Sequence, residues 1–444
     1  MHGTAAGEAG SGGGAARRRV LYLVHSSAPG GALLSLRYLL EQIDRARYEP
    51  VVACIHPVPG VIEGFRALGV ETVHARGISI YAHTTGEWHP LTSPVAVRRE
   101  LSQWAGFRAA ARATEALVRQ LRPDLVHLNS VGFAPSALGA RRAGAKVVWH
   151  VRESVVPGHF GVRRRMVSRW LRRWAHRVIF ISEDDRRAAG ARDYGVVIPN
   201  FVDHRRFDRA LSGAAVRAEL GIAPGAPVAL FVGGIASIKG GRVFLRAMKL
   251  ARRRVPGLVG VVAGGEGPWS RSVAARVARA VLPLVGSGTE RQKFLRDYRG
   301  AEGFVHLLPF RGDPERLLAA SDLMVVPHVA PHFARAVIEA GAMARPVVGS
   351  RIGGVEELVD HGVTGLLVPP RDPATLADAI VHLLADPAIA ARMGEAGYRA
   401  SLERFGAARN VARVLEIYDE LLGSADPGAS GAGRNTPGIP FPDR

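Results

Sequence analysis

Cysteine is almost absent from the sequence: Cys54 is the only one among 444 residues. A single thiol cannot form an intramolecular disulfide or a thiolate metal cluster, and this composition is typical of a reducing compartment. No apolar run approaches the roughly 18 residues of a membrane-spanning helix. The basic Arg17–Arg19 precedes the apolar Val20–Val24, but that run is too short for the core of a secretory signal. We therefore expect a cytoplasmic protein.

Lysine is scarce as well. Only four of the 59 basic residues are lysines, although the formal net charge is +20. Such a charge predicts an anionic partner, which can be nucleic acid, a membrane surface or a phosphorylated ligand. The preference for arginine is also what a biased genomic base composition produces. No helix-turn-helix, zinc-finger or aromatic RNA-binding signature accompanies the charge, so we expect no specific nucleic-acid partner.

Three common catalytic signatures are missing. The sequence contains no Gly-x-x-x-x-Gly-Lys-Ser/Thr phosphate loop, no HExxH zinc motif and no Gly-x-Ser-x-Gly nucleophile elbow. Their absence argues against a P-loop nucleotidase, a zinc peptidase of that type and an α/β-hydrolase.

The hydrophobic pattern predicts an α/β protein. Hydrophobic residues make up 47% and charged residues 22% of the chain, as in soluble globular proteins, and the length suits two or three domains. Short apolar strands alternate with helical stretches of ten or more residues, which predicts βαβ units and parallel sheets. The Gly- and Ala-rich residues 1–18 and the Gly/Pro-rich residues 423–444 are expected to be disordered.

Two glycine pairs follow predicted strands. Gly30-Gly31 comes after Val20–Val24, and Gly233-Gly234 comes after Val228–Val232. Gly30-Gly31 does not complete a Gly-x-Gly-x-x-Gly fingerprint, so its spacing favours a tight turn over a loop that approaches a phosphate or an acceptor. Lys239 stands at the start of the next helix, where an ammonium group can neutralise a diphosphate leaving group. A solvated surface lysine is the alternative.

The strand KVVWHVRE places His150 near its carboxyl end, where open α/β sheets bind ligands. A histidine at such a position is either a structural hydrogen-bond donor or a ligand-binding group. Arg152 and Glu153 are expected to be neighbouring cleft residues. His127 and Asn129, at the end of the preceding strand, are expected to line the acceptor side.

The stretch from Pro327 to Glu357 is the most informative part of the chain. It predicts a helix from about Ala334 to Ala344, a strand at Pro346–Gly349, and a Gly-Gly turn that opens another helix at Val355. The N-terminus of the first helix exposes backbone N–H groups that attract anions. Glu339 lies about one and a half turns into that helix, where its carboxylate can accept hydrogen bonds from sugar hydroxyls. Alternatively, it is a solvated helix residue.

This stretch resembles the donor-sugar site of retaining glycosyltransferases of family 4. The family pattern is Glu-x7-Glu, then Ala-x-Ala-x-x-x-Pro-Val-Val, then Gly-Gly and Glu. The matching positions are Glu339, Ala340, Ala342, Pro346, Val347, Val348, Gly353, Gly354 and Glu357. The resemblance spans nearly all of residues 20–422. It implies the α/β GT-B fold, with two Rossmann-like domains facing each other across a cleft and a C-terminal helix that crosses back to the first domain.

The same resemblance implies the domain limits. The stretch Val196–Phe207 is similar to the family's Ile-Pro-Asn-Gly-Val-Asp linker, with Phe201 in place of Gly. It divides the chain into an acceptor-side domain at residues 19–199 and a nucleotide-sugar domain at residues 200–403. The crossover helix is expected at residues 404–422.

The activity implied is transfer of a sugar from a UDP- or GDP-linked donor to a glycan or lipid-linked acceptor, with retention, as in bacterial cell-envelope glycan biosynthesis. Family 4 enzymes need no bound metal or other cofactor, and the donor phosphate assists removal of the acceptor proton. Catalytic roles fall to His150, Lys239 and Glu339, of which Glu339 holds the ribose. The implied donor-binding residues are Gly30, Gly31, Gly233, Gly265, Leu308, Phe310, Arg311, Phe333, Ala334, Arg335 and Glu339.

Two positions depart from the family pattern. Pro331 stands where the first Glu is expected, and Gly234 stands where one of two phosphate-binding cations is expected. Arg242, Arg335 and Arg351 are candidates to replace that cation. The departures keep open a catalytically weakened relative that acts as a binding or partner subunit. A nucleotide-sugar epimerase of the same fold is a further alternative, against which the complete Ala-x-Ala-x-x-x-Pro-Val-Val match argues.

A basic amphipathic helix is predicted at Val162–Val178. Its apolar residues recur at helical spacing with arginines between them, as in helices that lie on anionic membranes. Peripheral contact with the inner face of the membrane would fit a lipid-linked acceptor. The alternative is a core-packed helix with a solvated basic face.

Overall fold

The computed structural model describes residues 17–25, 30–81, 94–265 and 290–423. In each half of this described chain, helices flank a parallel β-sheet. The two tails predicted to be disordered lie almost wholly outside these ranges. The first strand nevertheless begins at Arg18, inside the predicted N-terminal tail, because Arg18 pairs in register with Tyr48 of the next strand.

The first sheet lies in the N-terminal half. Its strands are β1 (Arg18–Val24), β2 (Tyr48–Cys54), β3 (Glu71–His74), β4 (Leu125–Leu128), β5 (Lys146–Val151), β6 (Arg177–Phe180) and β7 (Val196–Val197). They pair in parallel in the order β3-β2-β1-β4-β5-β6-β7. The strand order reverses between β1 and β4, so the carboxyl ends of these two strands flank the crevice where open α/β sheets bind ligands.

Helices cover both faces of this sheet. They are α1 (Gly31–Gln42), α2 (Pro59–Arg66), α3 (Pro94–Leu121), α4 (Ala134–Arg142), α5 (Val162–Trp174) and α6 (Glu183–Ala188). The residues of β1 alternate between the two cores: Leu21 and Leu23 pack with the α3–α5 side, whereas Tyr22 packs with the α1–α2 side. A strand buried on both faces reads as a continuous apolar run, which is how the sequence revealed it.

The second sheet lies in the C-terminal half. Its strands are β8 (Val228–Val232), β9 (Val259–Gly265), β10 (Val305–Pro309), β11 (Leu323–Val326), β12 (Val347–Ser350) and β13 (Gly365–Val368). They pair in parallel in the order β10-β9-β8-β11-β12-β13, so the order reverses between β8 and β11. Of the residues predicted to bind the donor, Gly233 and Lys239 follow β8, and Phe333, Ala334, Arg335 and Glu339 follow β11.

The helices of the second half are α7 (Ala214–Glu219), α8 (Gly241–Arg252), α9 (Glu290–Tyr298), α10 (Pro314–Ala319), α11 (Arg335–Ala342), α12 (Pro373–Ala385) and α13 (Pro387–Phe405). Among the described residues, no single helix is long and apolar enough to cross a membrane. Only α12 and α13 taken together meet that length and composition, and they are bent by 100° at their junction.

A last helix, α14 (Ala407–Leu422), packs on the first sheet. Its residues Val411, Val414 and Tyr418 are buried in the same cluster as Tyr22 of β1. The predicted return of the chain to the first domain is therefore confirmed. The helix begins at Ala407 rather than Arg404. The preceding helix, α13, continues to Phe405, and Gly406 separates the two helices.

The predicted α/β class with two parallel sheets is confirmed, and two local predictions are wrong. Residues 353–358 form turns rather than a helix, because Gly354 adopts a left-handed φ of 82°. Lys239 ends a single 3-10 turn, Ser237–Lys239, and the following α-helix starts only at Gly241. The domain limits at residues 199 and 403 remain a prediction.

Candidate functional site between the two sheets

Glu339 is a buried carboxylate rather than a solvated helix residue. It lies on the inner face of α11 and is only 4% exposed. Its Oε1 atom has no hydrogen-bond partner among the described residues, and its nearest cation, Arg335 Nη1, lies 3.6 Å away. Burial raises the pKa of Glu339 to about 7, although the neighbouring guanidinium groups oppose that shift. Such a carboxylate is available to a ligand hydroxyl.

Arg335 connects the two domains at the start of α11. Its Nη2 donates to Ser35 Oγ on α1, and its Nη1 donates to the carbonyl of Phe201 in the linker at 3.0 Å. A Cβ placed on Gly31 would lie 4.0 Å from Arg335 Nε, so the guanidinium group lies against the start of α1. The structure therefore brings together Gly31, Arg335 and Glu339, three of the residues predicted to bind the donor.

The start of α11 carries unpaired backbone donors. Phe333 and Ala334 are buried, and their N–H groups, like that of Arg335, have no hydrogen-bond partner among the described residues. The preceding N–H, that of His332, donates to the carbonyl of Gly353 at 3.2 Å. Free N–H groups at the beginning of a helix are suited to an anionic ligand such as a diphosphate.

Lys239 follows β8, whereas α11 follows β11, so the two lie on either side of the point where the strand order reverses, and Lys239 faces the start of α11. The turn that carries it is fixed against the end of β11: Val329 N–H donates to the carbonyl of Ile238 at 3.0 Å. Gly240 adopts a φ of 75°, and a Cβ there would overlap the carbonyl oxygen of Pro327. Only glycine fits such a position, so Gly240 holds Lys239 beside β11.

The Lys239 ammonium group is partly buried and makes no hydrogen bond or ion pair with a described residue. Burial lowers the pKa of Lys239 to about 8. The pKa of His332 falls to about 3, chiefly through burial and then through the charge of Lys239, and the pKa of His328 falls well below its usual value. Both imidazoles are therefore neutral, which leaves Lys239 as the cation at this point.

Gly233 and Gly234 follow β8 and donate their N–H groups to the carbonyl of Ala263, each at 3.0 Å. A Cβ on Gly233 would lie 2.6 Å from the ring of Phe231 and 3.0 Å from the Cβ of Lys239. The glycine therefore permits the backbone to pass close to Lys239. Gly265 is described only as the last residue of β9, and Gly30 as the residue before α1.

Two of the three arginines that are candidates to replace the missing cation are engaged by protein groups. Arg242 donates to Asp297 at 2.6 Å. Arg335 is engaged with Ser35 and the linker, as described above. Arg351 is exposed on the turn after β12.

His150 lies in a buried polar network of the first domain. Arg152 donates to Asn129 at 2.5 Å and to Asn200 at 2.7 Å, and its Nη2 lies 3.4 Å from His150 Nδ1. Burial, then Arg152, lowers the pKa of His150 well below its usual value, and its Nε2 has no partner among the described residues. Because Asn200 also accepts from Ser35 at 2.9 Å, this network reaches the Arg335 contact.

His127 was expected to line the acceptor side, and this prediction is wrong. Its ring is fully buried, and its Nδ1 lies 2.6 Å from the hydroxyl of Tyr418 on α14. The crossover helix therefore covers His127. Asn129 is buried too, and its amide donates to the carbonyl of Ala32 at 3.1 Å.

Three of the predicted donor-binding residues, Leu308, Phe310 and Arg311, lie at the end of β10 and directly after it. Phe310 is 56% exposed, and Leu308 is partly buried. The Arg311 side chain is occupied, since it donates to Asp313 at 2.8 and 2.9 Å and to Glu219 at 2.6 Å. A nucleotide base that binds at this point would therefore contact the backbone and the exposed Phe310 ring.

Glu357 joins the domains through backbone groups. Its carboxylate accepts from the N–H of Glu183 at 2.8 Å and from the N–H of Asp184, at the start of α6. Gly353 lies directly against the carboxylate of Asp184, since a Cβ there would be 2.3 Å from its Oδ2. These motif residues therefore fasten the first domain to the turn that holds His332.

Sequence reasoning missed Tyr38 and the role of the Arg335 side chain. Tyr38 lies on α1, its buried hydroxyl makes no hydrogen bond of normal geometry among the described residues but lies close to the Arg206 guanidinium, and Arg335 Cζ lies 5.6 Å from its ring centre. Burial raises the pKa of Tyr38 to about 12. Nothing in the local pattern distinguishes this tyrosine from an ordinary core residue, because its neighbours come from the other domain.

The apolar residues of α5 do not form a free face. Val167, Trp170 and Leu171 are buried in the first core, and Met166 and Trp174 pack against it. The core-packed alternative therefore describes these positions. In the described part of the chain, no group of three or more His, Cys, Asp or Glu side chains is arranged to hold a metal ion.

The fold is shared with proteins of known structure. HepE from Anabaena, solved with UDP-glucose, superposes with a TM-score of 0.70 over 90% of this chain and 99% of its own, at 23% identity. Sucrose-phosphate synthase from Thermosynechococcus elongatus superposes with a TM-score of 0.65 over 91% and 99% at 20% identity. These superpositions and the two facing parallel sheets identify the GT-B fold, as the sequence predicted.

Two family models match the chain. The model for the glycosyl transferase 4-like domain matches residues 30–200, and the model for glycosyl transferases group 1 matches residues 269–386. Together they cover well over half of the sequence. The chain belongs to the group 1, family 4 glycosyltransferases.

Curated relatives match part of the chain. The D-inositol 3-phosphate glycosyltransferase of Saccharomonospora viridis is 35% identical over 230 residues, which are 50% of this chain and 49% of that protein. The protein of the same name from Nocardia farcinica is 34% identical over 255 residues, 55% and 52% of the two chains. This chain thus aligns with about half the length of these relatives.

Proposed function

We propose that this protein transfers a sugar from a nucleoside-diphosphate donor, UDP- or GDP-linked, to a hydroxyl of a glycan or lipid-linked acceptor. Family membership supports the reaction class. The observation that carries the proposal is the placement of two groups on either side of one sheet reversal: the partly buried Lys239 ammonium, which makes no hydrogen bond or ion pair with a described residue, and the buried Glu339 carboxylate, whose Oε1 has no partner among the described residues. A cation and a carboxylate placed in this way suit the diphosphate and the ribose of one ligand.

The transfer is proposed to proceed with retention and without a metal ion. The bond between the anomeric carbon and the diphosphate oxygen breaks, and its electron pair leaves with the diphosphate. Lys239 and the free N–H groups of Phe333, Ala334 and Arg335 stabilise the charge that develops there. The acceptor oxygen bonds to the anomeric carbon from the same face, and its proton passes to the departing phosphate oxygen.

His150 is proposed to support the donor sugar. It is neutral at physiological pH, since its pKa is lowered by burial. Because Nδ1 accepts from Arg152, the single ring proton lies on the unpartnered Nε2, which can donate one hydrogen bond to a sugar hydroxyl.

Binding and transfer can be measured separately. Calorimetry with UDP, GDP and their sugars tests the donor site in the wild type, Lys239→Ala and Glu339→Ala. One nucleotide should bind, and both substitutions should weaken it. The anomeric configuration of the product, observed by NMR, tests retention. Unchanged activity after treatment with a chelator supports a metal-free reaction, and loss restored by a divalent ion contradicts it.

A weakened relative that serves as a binding subunit is the second candidate. Pro331 and Gly234 favour it, because neither position has an evident substitute: Arg242 and Arg335 are already engaged by protein groups. Wild-type protein that binds the nucleotide but transfers no sugar, and hydrolyses none, would support this candidate. Restoring the family's first Glu by Pro331→Glu should then raise the donor affinity, whereas Gly234→Arg is a poor test because Gly234 is buried with a left-handed φ of 56°.

Peripheral contact with an anionic membrane is proposed to use a surface adjacent to the one predicted. We define the α3/α5 surface by four exposed apolar residues, Leu101, Trp104, Phe160 and Val162. Phe160 is 93% and Val162 58% exposed, and the Trp104 ring lies 5.9 Å from that of Trp170, so α3 and α5 are neighbours here. The exposed arginines beside it are Arg164, Arg165, Arg169 and Arg173. Aromatic and basic groups together suit a headgroup region.

Vesicle sedimentation tests this contact. The wild type should bind vesicles that contain phosphatidylglycerol, more weakly at high salt, and Val162→Asp should reduce binding. Val363→Asp is the matched control, since Val363 is also 58% exposed but lies in the second domain. Equal binding by all three proteins would contradict the proposal.

A further inference from the structure

Three buried polar atoms at or beside the guanidinium group of Arg335 make no hydrogen bond of normal geometry among the described residues. They are the Oε1 of Glu339, the Nε of Arg335 itself and the hydroxyl of Tyr38, which also lies close to the Arg206 guanidinium. Arg335 Cζ is 5.6 Å from the centre of the Tyr38 ring, and Arg335 Nη1 is 3.6 Å from Glu339 Oε1. Among buried polar groups, unsatisfied atoms are uncommon, and three around one side chain indicate a ligand or ordered water.

The three atoms differ in their hydrogen-bonding roles. The ionised Glu339 carboxylate only accepts, the Arg335 Nε–H only donates, and the Tyr38 hydroxyl can do either. A sugar hydroxyl donates one hydrogen bond and accepts up to two, so one acceptor beside two donors matches it. The Arg335–Glu339 contact is too long for a hydrogen bond, which leaves the carboxylate free to accept one.

Two domains contribute to this cluster. Tyr38 lies on α1 of the first domain, whereas Arg335 and Glu339 lie on α11 of the second. Arg335 also donates to Ser35, one turn before Tyr38 on α1, so its position depends on how the domains meet. A ligand bound here therefore touches both domains.

We propose that the donor ribose is bound between the two domains, with the Tyr38 hydroxyl and the Arg335 guanidinium completing a hydroxyl-binding site around Glu339. The inference rests on the proposed function. It extends that function in one respect: the site distinguishes a ribonucleotide from a deoxyribonucleotide through a residue of the acceptor-side domain.

The test compares nucleotides that differ by one hydroxyl. UDP and GDP are titrated calorimetrically into the wild type. For the one that binds, the 2′-deoxy and 3′-deoxy forms follow, with Tyr38→Phe alongside. The wild type should prefer the ribonucleotide by about tenfold or more over at least one deoxy form. Tyr38→Phe should lose about three- to tenfold in affinity for the ribonucleotide and little for that deoxy form, as expected for one hydrogen bond.

Tyr194→Phe is the matched control, because the Tyr194 hydroxyl bonds Ser168 at 3.2 Å within the first domain. Its affinities should equal those of the wild type. Arg335→Lys provides a second variant, which keeps the charge but removes the Nε–H, and it should reduce the same preference.

The outcomes separate the inference from the proposed function. If the wild type binds a nucleotide and Glu339→Ala weakens it, but Tyr38→Phe keeps the full preference for ribose, the inference is overturned and the function stands. An equal loss for all nucleotide forms would assign Tyr38 a packing role and also overturn it. If the wild type binds neither UDP nor GDP, both fall.

Discussion

The Glu357 carboxylate of the second domain accepts a hydrogen bond from the backbone N–H of Glu183 in the first domain at 2.8 Å. A second bond, from the N–H of Asp184, makes the carboxylate a cap for α6 across the domain boundary. The residue that ends the glycosyltransferase motif is thus a joint between domains. Because the same turn bonds His332 through Gly353, the joint also supports the start of α11.

Glu357→Ala should destabilise the closed arrangement of the domains. It removes two charge-assisted hydrogen bonds and leaves two N–H groups at the start of α6 unpaired, at a cost of about 1.5–3 kcal/mol. Chemical denaturation should show the loss, and small-angle scattering should show a larger radius of gyration. Glu356→Ala is the control, because Glu356 is exposed on the same turn. Equal stability and an equal radius of gyration for Glu357→Ala and Glu356→Ala would contradict this role of Glu357 in joining the domains.

The strands of both sheets could be predicted from the sequence, because a strand that is buried on both faces consists of a continuous run of apolar residues. β8 agrees with its prediction at Val228–Val232, and β1 contains the predicted Val20–Val24. Boundaries that depend on backbone conformation are not encoded in such apolar runs. The turn at residues 353–358 was predicted to be helical, since its composition does not reveal the left-handed Gly354.

The candidate site was only partly predictable for a related reason. Glu339 and Lys239 were found by position in a motif, which fixes where a residue lies along one domain. Tyr38 and the Arg335 contacts depend on two domains meeting, and a local pattern carries no signal of that. The prediction for His127 is wrong for a similar reason. His127 lies near the end of its strand, where such sheets bind ligands, but Tyr418 of α14, nearly three hundred residues later in the chain, covers it.

Lys239 predicts a basic limit to activity. Its protonated form neutralises the departing diphosphate, and burial lowers its pKa to about 8. As the pH rises through 8, the ammonium becomes neutral and kcat/KM should fall. Lys239→Ala should lose about 10²–10³-fold in kcat, as is typical when one stabilising donor is removed, and should lose the basic limb of the pH profile. Lys293→Ala, on the surface beside Glu290, should retain both. A basic limb that persists in Lys239→Ala would assign it to another group.

His127 predicts acid sensitivity. Its pKa is well below the usual value, first through burial and then through Arg152, so the unfolded state binds more protons below about pH 6.5. The free energy of unfolding should therefore decrease as the pH falls below that value, by about 1.4 kcal/mol per pH unit for this group. His127→Phe should lower stability near pH 7.5 but flatten the acid slope. Denaturation at several pH values tests this, with the exposed His56→Gln as control. Parallel slopes for all three proteins would contradict it.

The buried Glu339 carboxylate is expected to lower the free energy of unfolding of the protein when no donor is bound. Its folded-state pKa is about 7, above the usual value of about 4.5, so the folded state binds more protons between these pH values. Stability contributed by the protonated form is therefore present below about pH 4.5 and lost as the pH rises through 7. Glu339→Gln removes this loss without changing the shape of the side chain. At pH 8 it should be more stable than the wild type by about 1–3 kcal/mol, with the difference shrinking toward pH 5.

Denaturant midpoints at the two pH values measure this difference in stability, and the same variant should bind the donor more weakly. A Glu339→Gln protein that is less stable at pH 8 would mean that the Arg335 ion pair outweighs the burial of the carboxylate.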